Sequence, residues 1–260
     1  MFDLSGEIVS QLHKSIFHIE FNRPDKLNAF TGEMFQEFKR VFREALDSKA
    51  RVIIISGRGR AFSAGADLMS LASLESMGRE EASRVLHEMY EASALIFDSD
   101  KPVISAVQGY AIGSGFGIAV ASDILVVSHD AILRPGYIAV GLNPEFCMSL
   151  LLPHLIGYKN AFKLLIMNEK ITGEEAYRIG LAQYLVDKDK LIEKAFEIAD
   201  EISKLPELAV VNTKKLLRRV LPTSCTDTVK LEAELQGINI ESEEHKTHIM
   251  NYISSFRKKK

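Results

Sequence analysis

The stretch that most constrains the fold is Val103–Asp123, VISAVQGYAIGSGFGIAVASD. It reads as a short apolar strand, a turn on Gly109, and a glycine-dense segment opening a helix. Glycines at 113, 115 and 117 leave main chain with few side chains in the way. A ligand can approach backbone N–H groups closely at such a place. Small residues equally serve tight helix packing, and the segment alone leaves both readings open.

The same design occurs upstream. Val52–Ile55 is short, apolar and β-branched, the pattern of a strand covered on both faces. It runs into the Gly/Ala-rich loop GRGRAFSAGADL, residues 57–68. Around these two units, IFHIEF (16–21) alternates, with Phe17, Ile19 and Phe21 on one face, as in a half-buried strand. Thr31 is set to cap a helix over 32–46 that buries Met34, Phe35, Phe38, Val41, Phe42 and Ala45. A helix over 79–98 turns Val85, Leu86, Met89, Tyr90, Ser93 and Ile96 inward, and Ile124–Val127 is a further strand. Short buried strands alternating with helices predict an α/β fold with a mainly parallel sheet. Parallel neighbours bring both glycine-rich turns to one sheet edge, where such folds bind ligands. Two turns with free N–H groups make an oxyanion hole; two unrelated loops are the alternative.

Beyond residue 143 the chain changes character. Asn143 and Pro144 read as N-cap and first residue of a helix reaching Gly157, and a second helix spans about 158–167. Thr172-Gly-Glu-Glu175 is a capping box whose helix stops at Gly180, and Gln183–Val186 is a last strand. From Lys188 the pattern is helical: 188–204, 207–221 after Pro206, and two pieces to about 256. A soft boundary at Leu205-Pro206 divides an α/β body, 1–204, from a helical region, 205–260. Such a tail is expected to be a packing element between subunits.

Composition narrows the classes. With 47% hydrophobic and 26% charged residues, the 260-residue chain suits a globular protein with a sizeable core. A net charge of −3 argues against a nucleic-acid partner. The clusters KKLLRR (214–219) and RKKK (257–260) read as a solvated helix face and a frayed tail. Cys147 and Cys225 are too few for a disulfide framework or zinc site, and are expected to be inert thiols in a reducing compartment. The histidines lack metal-ligand spacing; His13, His87, His245 and His248 read as exposed helix or loop residues. No apolar run reaches membrane-spanning length, no signal-peptide order opens the chain, and Lys-Lys-Lys is no peroxisomal address. Cytoplasm is the expected location. Residues 113–117 do not form a dinucleotide fingerprint, and Ser114 lacks the glycine two residues before it that a nucleophile elbow needs.

Four blocks in order, RPDKLNAF (23–30), GRGRAFSAGADL (57–68), KPVISAVQGYAIGSGFGIAVASD (101–123) and ITGEEAYRIGLAQYLV (171–186), resemble the signatures of the crotonase superfamily. This is the enoyl-CoA hydratase/isomerase family, and the resemblance covers about residues 5–250. It implies a spiral of ββα turns with a C-terminal helical oligomerisation region, forming a homotrimer or a hexamer. It implies an acyl-CoA thioester as substrate, with coenzyme A part of the substrate and no separate cofactor; the residue pattern itself leads to the expectation of no metal and no membrane partner. The thioester carbonyl would be held by the N–H groups of Ala64 and Ser114. Lys26 and the loop Ala64, Gly65, Ala66, Asp67 and Leu68 would lie along the CoA moiety, with Asp67 ordering the loop.

The resemblance does not fix the reaction, which depends on acid and base side chains. Hydratases of the family use two glutamates, one at the position of Gly117 and one at that of Tyr137. Neither residue present replaces a carboxylate, since glycine has no side chain and a phenol titrates near ~10. Glu145 matches the position of the single acid of some family isomerases. One carboxylate suffices for a 1,3-proton shift: it takes a proton from C2 of a 3-enoyl thioester and returns it at C4. The competing reading makes Glu145 a second-position helix residue placed by the helix dipole, which would lower its pKa where burial would raise it. An enoyl-CoA isomerase with Glu145 as proton shuttle is the leading expectation. A hydratase with an unrecognised acid, a dehalogenase-like enzyme and a non-catalytic acyl-CoA scaffold are the alternatives.

Overall fold

The computed structural model describes residues 6–67, 70, 74 and 76–257. Strands β1 (Ile8–His13) and β2 (Ile16–Phe21) form a hairpin. Helix α1 (Gly32–Asp47) leads to β3 (Val52–Gly57), and α2 (Arg79–Asp98) to β4 (Val103–Val107). Then follow β5 (Tyr110–Ile112), α3 (Ser114–Ala121), β6 (Ile124–Ser128) and β7 (Ile132–Arg134). Helices α4 (Met148–Ile156) and α5 (Tyr158–Ile166) precede β8 (Ile171–Thr172), α6 (Gly173–Arg178) and β9 (Tyr184–Val186). The chain closes with α7 (Leu191–Ser203), α8 (Glu207–Arg218), α9 (Cys225–Glu241) and α10 (Glu243–Arg257). β1, β5, β7 and β8 were not legible in the residue pattern.

The main sheet runs β1-β2-β3-β4-β6-β9, antiparallel only at β1–β2, and a smaller sheet runs β5-β7-β8. Register sets Phe17 beside Ile53 and Ile53 beside Val103. Because side chains alternate, β3 is buried on both faces. Ile53 and Ile55 join the main core with Phe21, Phe30, Phe35, Phe38 and Phe62. Val52 and Ile54 face Ala195, Ile198 and Ala199 of α7. The caps read from sequence are present: the Oγ1 of Thr31 accepts from the Met34 N–H and that of Thr172 from the Glu175 N–H, both at 3.2 Å.

Three expectations are corrected. The helix assigned to 143–157 begins at Met148, so Asn143 is not its cap and Glu145 is not in its first turn. The cap comes from Glu232 on α9, whose carboxylate accepts from the N–H groups of Cys147 (2.8 Å) and Ser149 (3.2 Å) and from the Ser149 hydroxyl (2.5 Å). A partner 83 residues along the chain from Ser149 leaves no local signal. Cys147 and Cys225, expected as separate inert thiols, lie side by side as a pair at disulfide spacing, with Cα atoms 5.8 Å apart. His245 is buried, and its Nδ1 meets the Val140 carbonyl at 2.6 Å.

α9 packs along α2 and contributes Cys225, Val229 and Ala233 to the main core. Among the described residues, no helix is long and apolar enough to cross a membrane.

Candidate active site

The two glycine-rich turns do meet. Ser63 donates its N–H to the Tyr110 carbonyl, and Ile112 donates to the Ser63 carbonyl, both at 2.9 Å. Glycines permit the approach: a Cβ on Gly65 (φ +90°) would lie 2.7 Å from the Ile112 carbonyl oxygen. One on Gly115 would lie 2.7 Å from the Ser63 Cβ. Any larger residue at either position would force the turns apart.

The block 23–30 locks the first turn from outside. Asn28 donates from its amide to the carbonyls of Arg58 (3.0 Å) and Ala61 (2.9 Å), and the Ser63 hydroxyl donates to the Asn28 carbonyl at 2.8 Å. Asn28 and Leu27 both have left-handed backbone, φ 55° and 53°. Arg23 reaches the Asp67 carboxylate at 3.2 Å. Lys26 is exposed on the short helical turn Pro24–Lys26. Leu68 lies outside the described residues.

The backbone amides of this turn can be accounted for one by one. Ala64 donates to the Leu27 carbonyl at 2.9 Å, so its N–H is spent; the expectation that it holds a thioester oxygen fails on this bond. Gly65 donates to the Ser63 hydroxyl (3.1 Å) and Asp67 to the Phe30 carbonyl (2.7 Å). The Ala66 N–H is left without an acceptor among the described residues. Across the cavity, Ser114 begins α3, where an N–H has no intrahelical partner. Among the described residues, the amides left without an acceptor on these two turns are therefore those of Ala66 and Ser114. The displacement by two residues is invisible in sequence, because it depends on a carbonyl supplied from the 23–30 block.

Ala66 and Ser114 line a cavity of about 80 Å³ together with Tyr137, Val140, Leu142, Glu145 and, from α10, Tyr252. A larger cleft of about 720 Å³ lies against α8. Its buried Lys214 is already paired with Asp123 at 2.5 Å, and it carries no acid free for chemistry.

Glu145 is 6% exposed. Burial drives its pKa up from 4.5 to about 8, with the like charge of Glu232 adding to the rise. The phenols of Tyr90 and Tyr137 and the Gln236 amide act in the opposite sense. Gln236 donates from Nε2 to the Glu145 carboxyl at 3.3 Å, and its Oε1 accepts from the Asn143 N–H at 2.9 Å. Glu232 is itself raised to about 7 by burial, against the bonds it receives from Ser149 and Cys147. Glu145 is not a first-turn residue of α4, which starts three residues later, and burial is the largest influence on its pKa.

Gly117 and Tyr137 complete the account. A Cβ on Gly117 would lie 2.3 Å from the Phe146 Cβ, so the fully buried Phe146 ring occupies the space a side chain there would need. Tyr137 lines the cavity with its hydroxyl buried. Sequence reasoning missed Tyr90, Glu232 and Gln236 as neighbours of Glu145. One signal was available: Thr228, Glu232 and Gln236 recur every fourth residue on the buried face of α9, where apolar residues belong.

The chain belongs to the enoyl-CoA hydratase/isomerase family, the crotonase superfamily, whose sequence model matches residues 11–259. A Mycobacterium bovis protein named a probable enoyl-CoA hydratase is 32% identical over 236 residues, covering 88% of this chain and 81% of the relative. An Arabidopsis thaliana protein named a peroxisomal Δ(3,5)-Δ(2,4)-dienoyl-CoA isomerase is 34% identical over 217 residues, covering 79% and 78%. The crystal structure of a Bacillus halodurans enoyl-CoA hydratase superimposes with a TM-score of 0.88 at 25% identity, over 95% of this chain and 100% of that one. The fold is therefore the α/β crotonase fold, with a helical C-terminal region.

Proposed function

We propose that the protein is an enoyl-CoA isomerase that shifts a double bond in an acyl-CoA thioester, with Glu145 as the proton carrier. The observation that carries this reading is a single buried, unionised-prone carboxyl in a cavity with two free backbone N–H groups, those of Ala66 and Ser114. These donors would hold the thioester oxygen as negative charge develops on it. Ionised Glu145 removes a C2 proton from a 3-enoyl thioester, and the dienolate is held by the two amides. Glu145, now protonated, returns the proton at C4. A base whose pKa lies near working pH is suited to both steps. Lys26 and residues 64–68 would follow the CoA moiety, a homotrimer or hexamer would be the assembly, and the cytoplasm the location.

Hydration is the second reading, favoured by the names of several relatives. Against it stand Phe146 in the space of a residue-117 carboxylate and a phenol at 137. The test is to incubate the protein with a 3-enoyl-CoA and, separately, a 2-enoyl-CoA, and to repeat with Glu145→Gln. Conversion of the first to the second, lost by about 10²–10⁴-fold in the variant, supports isomerisation. Rapid water addition to the 2-enoyl ester, untouched by the substitution, overturns it. Binding of both esters without turnover would instead make the protein an acyl-CoA-binding scaffold.

A further inference from the structure

Two phenol oxygens stand out among the buried polar atoms. Those of Tyr90 and Tyr137 are both shielded from solvent, and neither makes a well-formed hydrogen bond among the described residues, although both lie near enough to the Glu145 carboxyl to hold its pKa down as donors. Orphaned buried hydroxyls are uncommon and mark a group awaiting a partner. Tyr90 comes from the middle of α2 and Tyr137 from the turn leading into Val140. Both face the same acceptor, the Glu145 carboxyl, whose charge is felt at each of them. Gln236 approaches that carboxyl from α9.

We infer that Tyr137 and Tyr90 are positioning residues for Glu145, closing onto its carboxylate as hydrogen-bond donors when it gives up its proton. The groups around Glu145 explain why donors are needed. Tyr90 faces it from α2, Tyr137 from the loop, and Glu232 and Gln236 from α9. From α10, Tyr252 lines the cavity and His245 is held by the Val140 carbonyl. Among the described residues, the largest influences on Glu145 include no cation, and the charged group among them, Glu232, repels it. The stabilising influences among them are neutral donors. Tyr137 also lines the cavity together with Ser114 and Glu145, its ring 3.8 Å from where a Cβ on Gly113 would stand.

This rests on Glu145 being the proton carrier, so the test reads its titration without substrate. The measurement is carbon-13 NMR of the Glu145 side-chain carboxyl in the ligand-free protein, assigned by its loss in Glu145→Gln. In Tyr137→Phe and Tyr90→Phe the midpoint should rise by about one unit, a tenfold change, the size of one lost bond to a charged group. With 3-fluorotyrosine at 137, a stronger donor on an unchanged ring, it should fall. Where the protein isomerises 3-enoyl-CoA, the pH profile of kcat should move with the NMR midpoint and KM should stay within twofold. An unmoved Glu145 midpoint in both phenylalanine variants, or a fluorotyrosine shift upward, overturns the inference. A moved midpoint in a protein that turns over no 3-enoyl-CoA would refute the isomerase reading alone.

Discussion

The contact between Gly117 and Phe146 allows a quantitative test. A Cβ at 117 would stand 2.3 Å from the Phe146 Cβ and 3.0 Å from its Cγ. Carbon atoms prefer about 3.5–4.0 Å, so the overlap exceeds an ångström. Phe146 has little room to retreat: it is fully buried, with its ring centroid 5.6 Å from Phe35 and 5.1 Å from Tyr90, on backbone with φ 57°. Gly117→Ala should therefore cost about 3 kcal/mol, the upper end of overpacking. Phe146→Gly should cost about 3–5 kcal/mol for the lost ring, less some relief because glycine tolerates positive φ. The double variant removes both atoms of the clash, so its cost should fall about 2 kcal/mol short of the sum. Urea unfolding of the four proteins measures the cycle. Additivity within about 0.5 kcal/mol, or a neutral Gly117→Ala, would refute the reasoning. The same packing forecasts that Gly117→Glu gains no hydratase activity. A stable Gly117→Glu protein that adds water to a 2-enoyl-CoA would overturn that forecast.

Other outcomes follow from the same site. Glu145 acts as a base in its ionised form, so kcat should rise with pH to a plateau above about 8; a profile flat from pH 6 to 9 would count against it. Folding stability should move the other way. The folded state holds the proton of Glu145 up to about 8 while the unfolded chain releases it near 4.5, so stability is fullest below 4.5 and declines as pH rises through 8. Glu145→Gln should flatten that decline in urea midpoints taken at pH 5 and 9, and an unchanged slope would contradict the burial argument. Glu232→Ala removes the cap on α4 and leaves the Cys147 and Ser149 N–H groups unpaired, for a loss of about 1–3 kcal/mol seen in thermal melts. Replacing the Ala66 peptide N–H by an ester oxygen should slow turnover about 10²–10³-fold, as for one lost oxyanion donor. The same change at Ala64 should cost about 1 kcal/mol of stability through the Leu27 bond and little catalysis. Equal catalytic losses at 64 and 66 would refute the assignment of the free amide.

Much of this architecture is local in origin and so was legible in the residues. The β-branched run Val52–Ile55, the alternation of 16–21, the Thr31 and Thr172 caps and the glycine spacing of 113–117 each follow from interactions within a few positions. These sufficed to predict a parallel α/β sheet with two glycine-rich turns at one edge, and the ordered blocks pointed to the family. The isolation of Glu145 as the remaining acid was also a sequence result, because the absence of carboxylates at 117 and 137 is read directly from the chain.

What only tertiary structure decided were properties created by distant partners. Asn143-Pro144 has the residues of a helix start, yet Glu232 from α9 caps α4 five residues later, and Glu145 lies ahead of the first turn. Ala64 and Ala66 are the same residue type two positions apart; the Leu27 carbonyl consumes one amide and leaves the other. Cys147 and Cys225, 78 residues apart, meet because α9 folds back along α2. The environment of Glu145 is assembled from α2, the 137–145 loop and α9, and its burial sets its proton affinity. Sequence fixes which groups are available through short-range preferences. Which N–H is free, and which carboxyl is kept from water, depends on desolvation and hydrogen bonds formed across long separations, and these exist only once the chain has packed.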